Sequence, residues 1–280
     1  MSLVWINGRY VDKSEAKISV FDHGFLFADG AWMHLRAFNG VLFRPETPIL
    51  RFLEGLKREH GIDVAMDAAR LRSAIEETLR ANGRTEGYIR VLATRGVGTL
   101  GPDPRKIDPQ VHIVAEEYHP FPIELYDHGL DVATCPIPAR SSTPCRTLGD
   151  VHIARAKRDA LAAGCLEAVI VDGTHALGCT EGGVFVVSNG TLRCPPAGCS
   201  PEEFELVAEL AASAGLEIDS RFPALEVASL ADAEEAFLIG TACGIIAIAR
   251  LDGRPIGGGR EGPLTRRIRD AYRKLTRGAA

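Results

Sequence analysis

A short stretch near the middle of the chain, PCRTLGDVHIARAK from Pro144, brings together side chains that could do chemistry. Arg146 could bind a carboxylate through its planar set of N–H donors, and His152 could act as a general acid or base. Cys145 and Asp150 stand beside them in the sequence. A histidine on the first turn of a helix is more often a surface or capping residue. This stretch alone therefore leaves both an enzyme and a binding protein open.

A second candidate group lies in the segment GYIRVLATRGVG, which has the pattern of a strand followed by a loop. Side chains alternate across a strand, so Tyr88 and Arg90 are predicted to share one face. An arginine that faces a cleft from a strand suits carboxylate recognition, with structural ion pairing as the alternative. Arg95 follows at the start of the loop.

Several other kinds of site are not indicated. No G-x-S-x-G elbow is present, which argues against a Ser/His/Asp hydrolase. The glycine-rich GRPIGGGREG follows a strand and turn and does not open a βαβ unit, as a dinucleotide-binding fingerprint would. The seven cysteines are scattered, and Cys194 and Cys199 lack a second ligand pair at zinc-finger spacing. We therefore expect reduced thiols and no metal site.

Composition indicates an ordinary globular protein. Of the 280 residues, 46% are hydrophobic and 25% charged, and the formal net charge is −5. This balance does not favour nucleic acid or an anionic membrane as a partner, so we expect small molecules or a second copy of the chain. There is no apolar run of about 18 residues and no basic-then-apolar start, from which we expect a cytoplasmic protein with no membrane partner.

The elements that must position these residues can be traced along the chain. Alternating segments around Asn-Gly pairs, LVWINGRYVD and GAWMHLRAFNGVLFR, predict two β-hairpins. TPILRFLEGLKREHGI and DAARLRSAIEETLRANG have apolar residues at helical spacing and end at glycine. GYIRVLATRGVG and QVHIVAEEY supply two further strands. Residues 1–118 are therefore predicted to form a small α+β domain.

A second domain is predicted over residues 131–280, after a proline-containing linker at 119–130. LDVATCPIP, EAVIVDG and EAFLIGTACGIIAIARLDGRPI have the pattern of strands, and GVFVVSNGTLRCP that of two strands joined by a hairpin turn at Asn189-Gly190. DVHIARAKRDALAAG and GPLTRRIRDAYRKLTRG have the pattern of helices. In SPEEFELVAELAASAGL, Ser200 is a predicted N-cap, Pro201 occupies the first helical position, and Glu203 completes a capping box.

Five segments in this order resemble one family. They are VFDHGFLFADGAWMHLRAFNG, YIRVLATRGVG, AGCLEAVIVDG, DAEEAFLIGTACGIIAIARLDG and RPIGGGREGPLT. Together they are similar to the class IV aminotransferases, the fold-type IV pyridoxal-phosphate enzymes. Branched-chain aminotransferase, D-amino-acid aminotransferase and aminodeoxychorismate lyase belong to this family.

The resemblance implies an α/β (α+β) protein with the two-domain D-amino-acid aminotransferase-like fold, a cofactor cleft between the domains, and a homodimer. It implies pyridoxal phosphate as cofactor and a small carboxylate, of the amino-acid or keto-acid class, as substrate. The family pattern places Tyr88 and Arg90 on the substrate carboxylate and Arg95 at the start of the substrate loop. It places three groups on the cofactor phosphate: the Arg51 guanidinium, the Thr241 hydroxyl, and the backbone N–H groups of Thr241 and Ala242.

The sequence departs from the family pattern at several of these places. The Gly-Ile-Thr turn that holds the phosphate is replaced by Ser200-Pro201-Glu202, which removes an N–H donor and adds a carboxylate. The family has a glutamate that keeps the pyridine nitrogen of the cofactor protonated, and an ungapped count puts Gly178 at its position. Glu181 takes that position only if an insertion of three residues before it is balanced by a deletion of three after it. Met33 and Pro48 stand where the family has a glutamate and a histidine.

The largest departure is Arg146, which stands where the family has its Schiff-base lysine when positions are counted back without gaps from Gly164. A guanidinium stays protonated and cannot form an imine. Of the six lysines, Lys157 follows Arg146 most closely and is expected to be a solvated surface residue. We therefore expect no internal aldimine, although pyridoxal phosphate is the family's cofactor.

Three functions are consistent with this sequence. The chain could be an imine-independent enzyme acting on a carboxylate through Arg146 and His152, or an inactive homologue. It could be a conventional pyridoxal-phosphate transaminase or lyase with a relocated lysine and Glu181 at the pyridine nitrogen. It could also be a non-catalytic, ligand-binding dimer.

Overall fold

The computed structural model describes residues 2–105, 108–136, 146–194, 198–219 and 224–277, including the backbone but not the side chain of Arg146. The described chain divides into two compact units. Unit 1 contains the described residues of 2–118, residues 146–150 and Arg277, and unit 2 contains the described residues of 119–136 and 151–276. The segment that carries Arg146 thus belongs to unit 1, although it lies between two parts of unit 2 in the sequence.

The helices of the described chain have the following bounds: α1 (His23–Phe27), α2 (Glu46–Glu59), α3 (Ala68–Ala81), α4 (Ile123–His128), α5 (Val151–Ala162), α6 (Pro201–Ser213), α7 (Val227–Ala231) and α8 (Pro263–Arg277). The strands of the first half are β1 (Leu3–Ile6), β2 (Arg9–Asp12), β3 (Gly30–Phe38), β4 (Val41–Leu42), β5 (Gly87–Thr94), β6 (Gln110–Glu117), β7 (Leu130–Pro136) and β8 (Arg146–Thr147). Those of the second half are β9 (Glu167–Asp172), β10 (His175–Cys179), β11 (Gly182–Ser188), β12 (Thr191–Arg193), β13 (Glu217–Asp219), β14 (Leu225–Glu226), β15 (Glu235–Gly240), β16 (Gly244–Leu251) and β17 (Arg254–Pro255).

Unit 1 is a seven-stranded sheet whose order is β2-β1-β6-β5-β3-β4, with β8 also paired to β3. Side-chain alternation gives the neighbouring strands β3 and β5 two different faces. Met33, Leu35 and Val91 point into an apolar core that also contains Phe52 of α2 and Ile75 of α3. The opposite face of these strands carries polar and aromatic side chains, and the first candidate site lies on it.

Unit 2 is a ten-stranded sheet of order β13-β12-β11-β15-β16-β7-β9-β10-β14, with β17 paired to β16. Its inner strands are short apolar runs, as expected for strands buried on both faces. β7 is parallel to both β9 and β16. Helix α5 connects β8 to β9 and buries Ala156 and Ala160 against Ala133 and Ala168 of the sheet. These small side chains let the helix lie close to the strands, and this packing positions Lys157 of the same helix.

The predicted hairpins and the predicted cap are confirmed. Asn7-Gly8, Asn39-Gly40 and Asn189-Gly190 all have positive φ and join directly paired strands. Such turns match the twist of the strands that they connect, and asparagine and glycine tolerate the left-handed conformation. At the start of α6, the Ser200 hydroxyl accepts the Glu203 N–H while the Glu203 carboxylate accepts the Ser200 N–H.

The region predicted as a linker contains an ordered helix. α4 lies within residues 119–130, and its Tyr126 is buried and donates a hydrogen bond of 2.9 Å to the carbonyl oxygen of Cys243. A six-residue helix is too short to produce a recognisable apolar period, so the pattern of residues contains no sign of it. The predicted domain boundaries remain a prediction.

Candidate functional site

The first candidate site is a polar and aromatic cluster on the open face of β3 and β5 in unit 1. His34 and Arg90 are directly opposite each other across the two strands. The Tyr88 hydroxyl lies 3.4 Å from Nδ1 of His34 and 3.4 Å from Nη2 of Arg90. The guanidinium carbon of Arg90 lies 4.4 Å from the centre of a Trp32 ring. We call these four residues the β3–β5 cluster.

The chemistry of this cluster favours anion binding. Arg90 is exposed, and within the described residues no carboxylate oxygen lies within 4.0 Å of its guanidinium nitrogens. Stacking on Trp32 restrains the guanidinium plane. N–H groups at the edge of that plane can then donate two parallel hydrogen bonds to a planar acceptor. Tyr88 and His34 add a hydroxyl and a ring nitrogen beside it. A carboxylate is the ligand that this set of donors suits best.

Trp32 and His34 were missed by the sequence analysis, whereas Tyr88 and Arg90 were predicted. Alternation along β3 would have placed Trp32 and His34 on one face, opposite Met33. It could not have shown which residues of β5 they meet. That depends on the register, which sets His34 against Arg90 and Trp32 against Leu92.

Arg146 is located beside the same cluster through its backbone. β8 pairs antiparallel with β3, and Arg146 is opposite Trp32. The indole Nε1 of Trp32 donates a 3.1 Å hydrogen bond to the carbonyl oxygen of Thr147, which holds the short strand in place. Position 146 therefore lies on the edge of the sheet that presents the cluster.

The other members of the stretch around Arg146 are distributed over both units. Asp150 belongs to unit 1, where its Oδ1 accepts a 3.2 Å hydrogen bond from the Thr147 hydroxyl. His152 is half-buried on the first turn of α5 and belongs to unit 2. Cys145 lies outside the described residues. A catalytic role for His152 remains a prediction.

Arg95 has a well-defined structural partner. Its guanidinium binds the carboxylate of Asp29, with one Nη2–Oδ1 distance of 3.2 Å, and also donates to the carbonyl oxygen of His60. The Arg95 side chain is only 10% exposed. A buried charge paired in this way ties the start of the loop to Asp29 and His60, and binding a substrate would require it to leave these partners. Its substrate role remains a prediction.

The second candidate site is a charged group in unit 2 that centres on Lys157. Its Nζ lies 3.0 Å from Oε2 of Glu167 and 3.8 Å from Oε1 of Glu181. The Glu167 carboxylate is 2% exposed and also accepts hydrogen bonds from the Thr180 hydroxyl and the Ala168 N–H. The expectation that Lys157 is a solvated surface residue is wrong. Helix α5 packs tightly on β9 and brings the lysine over a buried carboxylate, and the sequence pattern of the helix does not reveal that contact.

This arrangement determines what the two groups can do. Lys157 is held in ion pairs with two carboxylates, whereas an amine must be free and uncharged to attack an aldehyde. Glu181 is half-buried beside that cation. The predicted role of Glu181 at a pyridine nitrogen therefore has to compete with an ion pair inside the protein.

The residues predicted to hold a phosphate lie in separate elements of the two units. Arg51 is half-buried on α2 in unit 1. Thr241 and Ala242 are half-buried in the turn between β15 and β16 in unit 2. Their binding of a phosphate remains a prediction.

The α6 N-terminus is a poor phosphate site. The Ser200 and Glu203 N–H groups are already bonded within the capping box, and Pro201 has no N–H to offer. Two carboxylates, Glu202 and Glu203, occupy the first turn and repel a phosphate. Lys157 is paired to carboxylates. The expectation that Arg146 stands at the family's lysine position, and that no imine forms, remains a prediction.

Two fully buried cysteines of unit 2, Cys179 and Cys243, serve packing. Burial raises the pKa of the Cys179 and Cys243 thiols well above the usual value, so these groups pack as small apolar side chains. Within the described ranges, no group of three or more His, Cys, Asp or Glu side chains could hold a metal ion. No helix in this part of the chain is long and apolar enough to cross a membrane.

Comparison with known proteins identifies the family. The amino-transferase class IV family matches residues 34–251. A putative branched-chain-amino-acid aminotransferase of Methanocaldococcus jannaschii is 32% identical, covering 97% of this chain and 96% of that protein. A D-alanine aminotransferase of Bacillus licheniformis is 27% identical, covering 96% and 95% of the two chains.

Solved structures of related enzymes share the fold. The Escherichia coli branched-chain amino acid aminotransferase aligns with a TM-score of 0.92 at 25% identity, over 100% of this chain and 96% of that chain. The branched-chain aminotransferase of the thermophilic archaeon Thermoproteus uzoniensis, solved with norvaline, gives a TM-score of 0.88 at 27% identity, over 99% and 95%. The expected mixed α/β, fold-type IV architecture is therefore confirmed, and the chain belongs to the class IV aminotransferase family.

Proposed function

We propose that this class IV aminotransferase homologue binds a small carboxylate of the amino-acid or keto-acid class at the β3–β5 cluster, and that it does not transaminate through an imine to pyridoxal phosphate. The observation that carries the first part is Arg90, an exposed arginine stacked on Trp32 beside the Tyr88 hydroxyl. Arg146, on the neighbouring strand β8, supports the second part.

Carboxylate binding at the β3–β5 cluster is supported by the geometry of the cluster and by a related structure. A restrained guanidinium can bind both oxygens of a carboxylate, and the Tyr88 hydroxyl lies beside it. Another branched-chain amino acid aminotransferase of the same fold, with a TM-score of 0.89 at 27% identity, was solved in complex with 4-methylvaleric acid, a small apolar carboxylic acid. That compound is therefore a suitable probe for this chain.

Binding of 4-methylvalerate is to be measured by isothermal titration calorimetry. A hydrogen bond to a charged group contributes about 1.5–3 kcal/mol, so Arg90→Gln should weaken binding by roughly 10- to 100-fold. Arg9→Gln, at an exposed arginine of β2 in the same unit, serves as the matched control and should leave the affinity unchanged. Equal affinities for the wild type and Arg90→Gln would remove the cluster as the binding site.

The proposed absence of an imine is supported by positions 146 and 157, the two places where a reactive lysine is to be considered. Position 146 holds an arginine, which has no amine to offer. Nζ of Lys157 forms ion pairs with Glu167 at 3.0 Å and with Glu181 at 3.8 Å. A conventional transaminase that relocated its imine to Lys157 would have to break that ion pair.

The test is the visible spectrum of the protein mixed with pyridoxal phosphate, followed by borohydride reduction and peptide mass mapping. We expect no reducible imine concentrated at one lysine of the wild-type protein. Arg146→Lys should create one at position 146, whereas Arg146→Gln should not. A wild-type imine that maps to Lys157, or robust transamination by the purified protein, would contradict the proposal and support the transaminase function.

The assembly proposed from the family resemblance is a homodimer. Size-exclusion chromatography with light scattering should give twice the 30.1 kDa mass of the chain. A monomer at micromolar concentration would contradict it.

A further inference from the structure

Two cysteines of unit 2 are in direct sulfur contact. Sγ of Cys194, directly after β12, lies 3.0 Å from Sγ of Cys199, directly before the N-cap of α6. A disulfide bond is about 2.0 Å long, so the sulfur atoms would have to approach each other by only about 1 Å to bond. The sulfur atoms of the other described cysteines contact carbonyl oxygens and not a second sulfur atom.

Packing on glycines fixes one side of the pair. A Cβ at Gly183 would overlap Cβ of Cys199, and a Cβ at Gly178 would lie 2.8 Å from the carbonyl oxygen of Gly198. The backbone at 198–199 therefore lies directly on β10 and β11, an approach that only glycine at these strand positions permits. Cys194 is 5% exposed and anchored at the end of β12. The two thiols are held together by packed structure on both sides.

We propose that Cys194 and Cys199 are a reversible dithiol that forms an intramolecular disulfide with a low-molecular-weight disulfide as oxidant. Cys199 is the more accessible thiol and accepts the hydrogen bond donated by Cys194, so it attacks the oxidant first. One thiol of the oxidant leaves, and a mixed disulfide forms on Cys199. Cys194 then loses its proton, attacks the Cys199 sulfur and expels the second thiol. The protein gives up two electrons and two protons, and one disulfide is reduced to two thiols.

The surroundings of Cys194 affect the rate of the second step. The hydrogen bond to Cys199, burial and the nearby Glu203 carboxylate all raise the pKa of the Cys194 thiol. A thiol that resists ionisation attacks slowly, so each buffer must be held until the oxidised fraction of the protein stops changing. The bond would tie the end of β12 to the start of α6, and the amides in the first turn of α6 should become more protected from hydrogen exchange.

The test uses the full-length protein equilibrated in glutathione buffers of increasing oxidised fraction, then alkylated and digested with trypsin. Cys194 and Cys199 fall in one tryptic peptide, residues 194–221, that contains no other cysteine. We expect this peptide to lose two hydrogens at an oxidised fraction at least about tenfold lower in the folded protein than in the urea-unfolded chain. Two alkylated thiols throughout the titration, or the same midpoint in the folded and unfolded chains, would overturn the proposal.

Variants assign the roles of the two thiols. Cys194→Ala should stop the reaction at a stable glutathione adduct on Cys199, and Cys199→Ala should leave Cys194 largely unmodified because it is buried. Cys165→Ala, at a cysteine of a separate core cluster, is the matched control and should leave the loss of two hydrogens unchanged. A glutathione adduct that accumulates equally on both cysteines of the wild-type protein would contradict the resolving role of Cys194.

Discussion

Replacing Lys157 by methionine is the sharpest test of the charged group in unit 2. Methionine keeps a long unbranched apolar side chain and lacks the ammonium, which lies 3.0 Å from the Glu167 carboxylate. Glu167 is almost completely buried and would keep its hydrogen bonds from Ala168 and Thr180 but lose its cation. Leaving a buried carboxylate without its cation destabilises the folded state because water cannot solvate the charge.

The expected magnitude follows from burial. Removing one partner of a fully buried ion pair costs about 3–5 kcal/mol, and losing a hydrogen bond to a charged group about 1.5–3 kcal/mol. The Lys157 side chain is 29% exposed, so water can take over part of its role. We therefore expect a loss of roughly 2 kcal/mol, near the lower end of these ranges.

The assay must report on unit 2. Both tryptophans, Trp5 and Trp32, belong to unit 1, so their fluorescence does not. Cys179 of β10 is buried in unit 2, and β10 pairs with the strand that carries Glu167. Its rate of thiol labelling, resolved by mass spectrometry, measures opening of this core. A loss of about 2 kcal/mol should raise that rate roughly 30-fold.

Two variants control this experiment. Lys274→Met removes an exposed lysine of α8 in the same unit, and it should change the labelling rate by less than about threefold. Adding Glu167→Gln to Lys157→Met should recover part of the loss because the buried charge is then gone. If Lys157→Met also stays within threefold of the wild type, the ion pair does not stabilise unit 2 and the reasoning is refuted.

Two further predictions concern packing and pH. Gly262→Ala should lower stability by about 1–3 kcal/mol in a thermal melt, because the added Cβ would overlap the Glu235 carboxylate that caps α8. Gly258→Ala, where a Cβ meets open space, should be close to neutral, and equal effects would argue against the overlap. Burial lowers the pKa of His112 in unit 1. The unfolded chain then takes up a proton near pH 6.5 that the folded state resists, so stability is retained above pH 6.5 and falls as the pH drops below it. Urea unfolding followed by tryptophan fluorescence should show this fall in the wild type and a flatter profile in His112→Gln; parallel profiles would contradict the assignment.

Much of the local structure could be predicted from short segments. The Asn-Gly hairpins and the Ser200 capping box depend on residues only a few positions apart, and the structure confirms them. α4 was not predicted, because it is short and is stabilised by the burial of Tyr126 and its bond to the distant Cys243. Local patterns reveal local interactions, and a helix held by remote contacts escapes them.

The candidate sites divide in the same way. Tyr88 and Arg90 were predicted because alternation places them on one face, whereas Trp32 and His34 join them only through the register of β3 and β5. Lys157 was expected in solvent because nothing in its helix identifies the carboxylates, Glu167 and Glu181, that lie beside it. The β3–β5 cluster and the charged group in unit 2 thus each needed contacts between separate elements.

The order of residues alone was enough to establish the family resemblance, the hairpins and caps, and the chemical nature of the residue at 146, since a guanidinium cannot form an imine in any fold. Three-dimensional packing was needed to show that Arg90 stacks on Trp32, that Lys157 is paired with carboxylates, and that Cys194 and Cys199 touch. These contacts arise when many weak packing interactions fix strand register and helix position together, and no short segment carries that information.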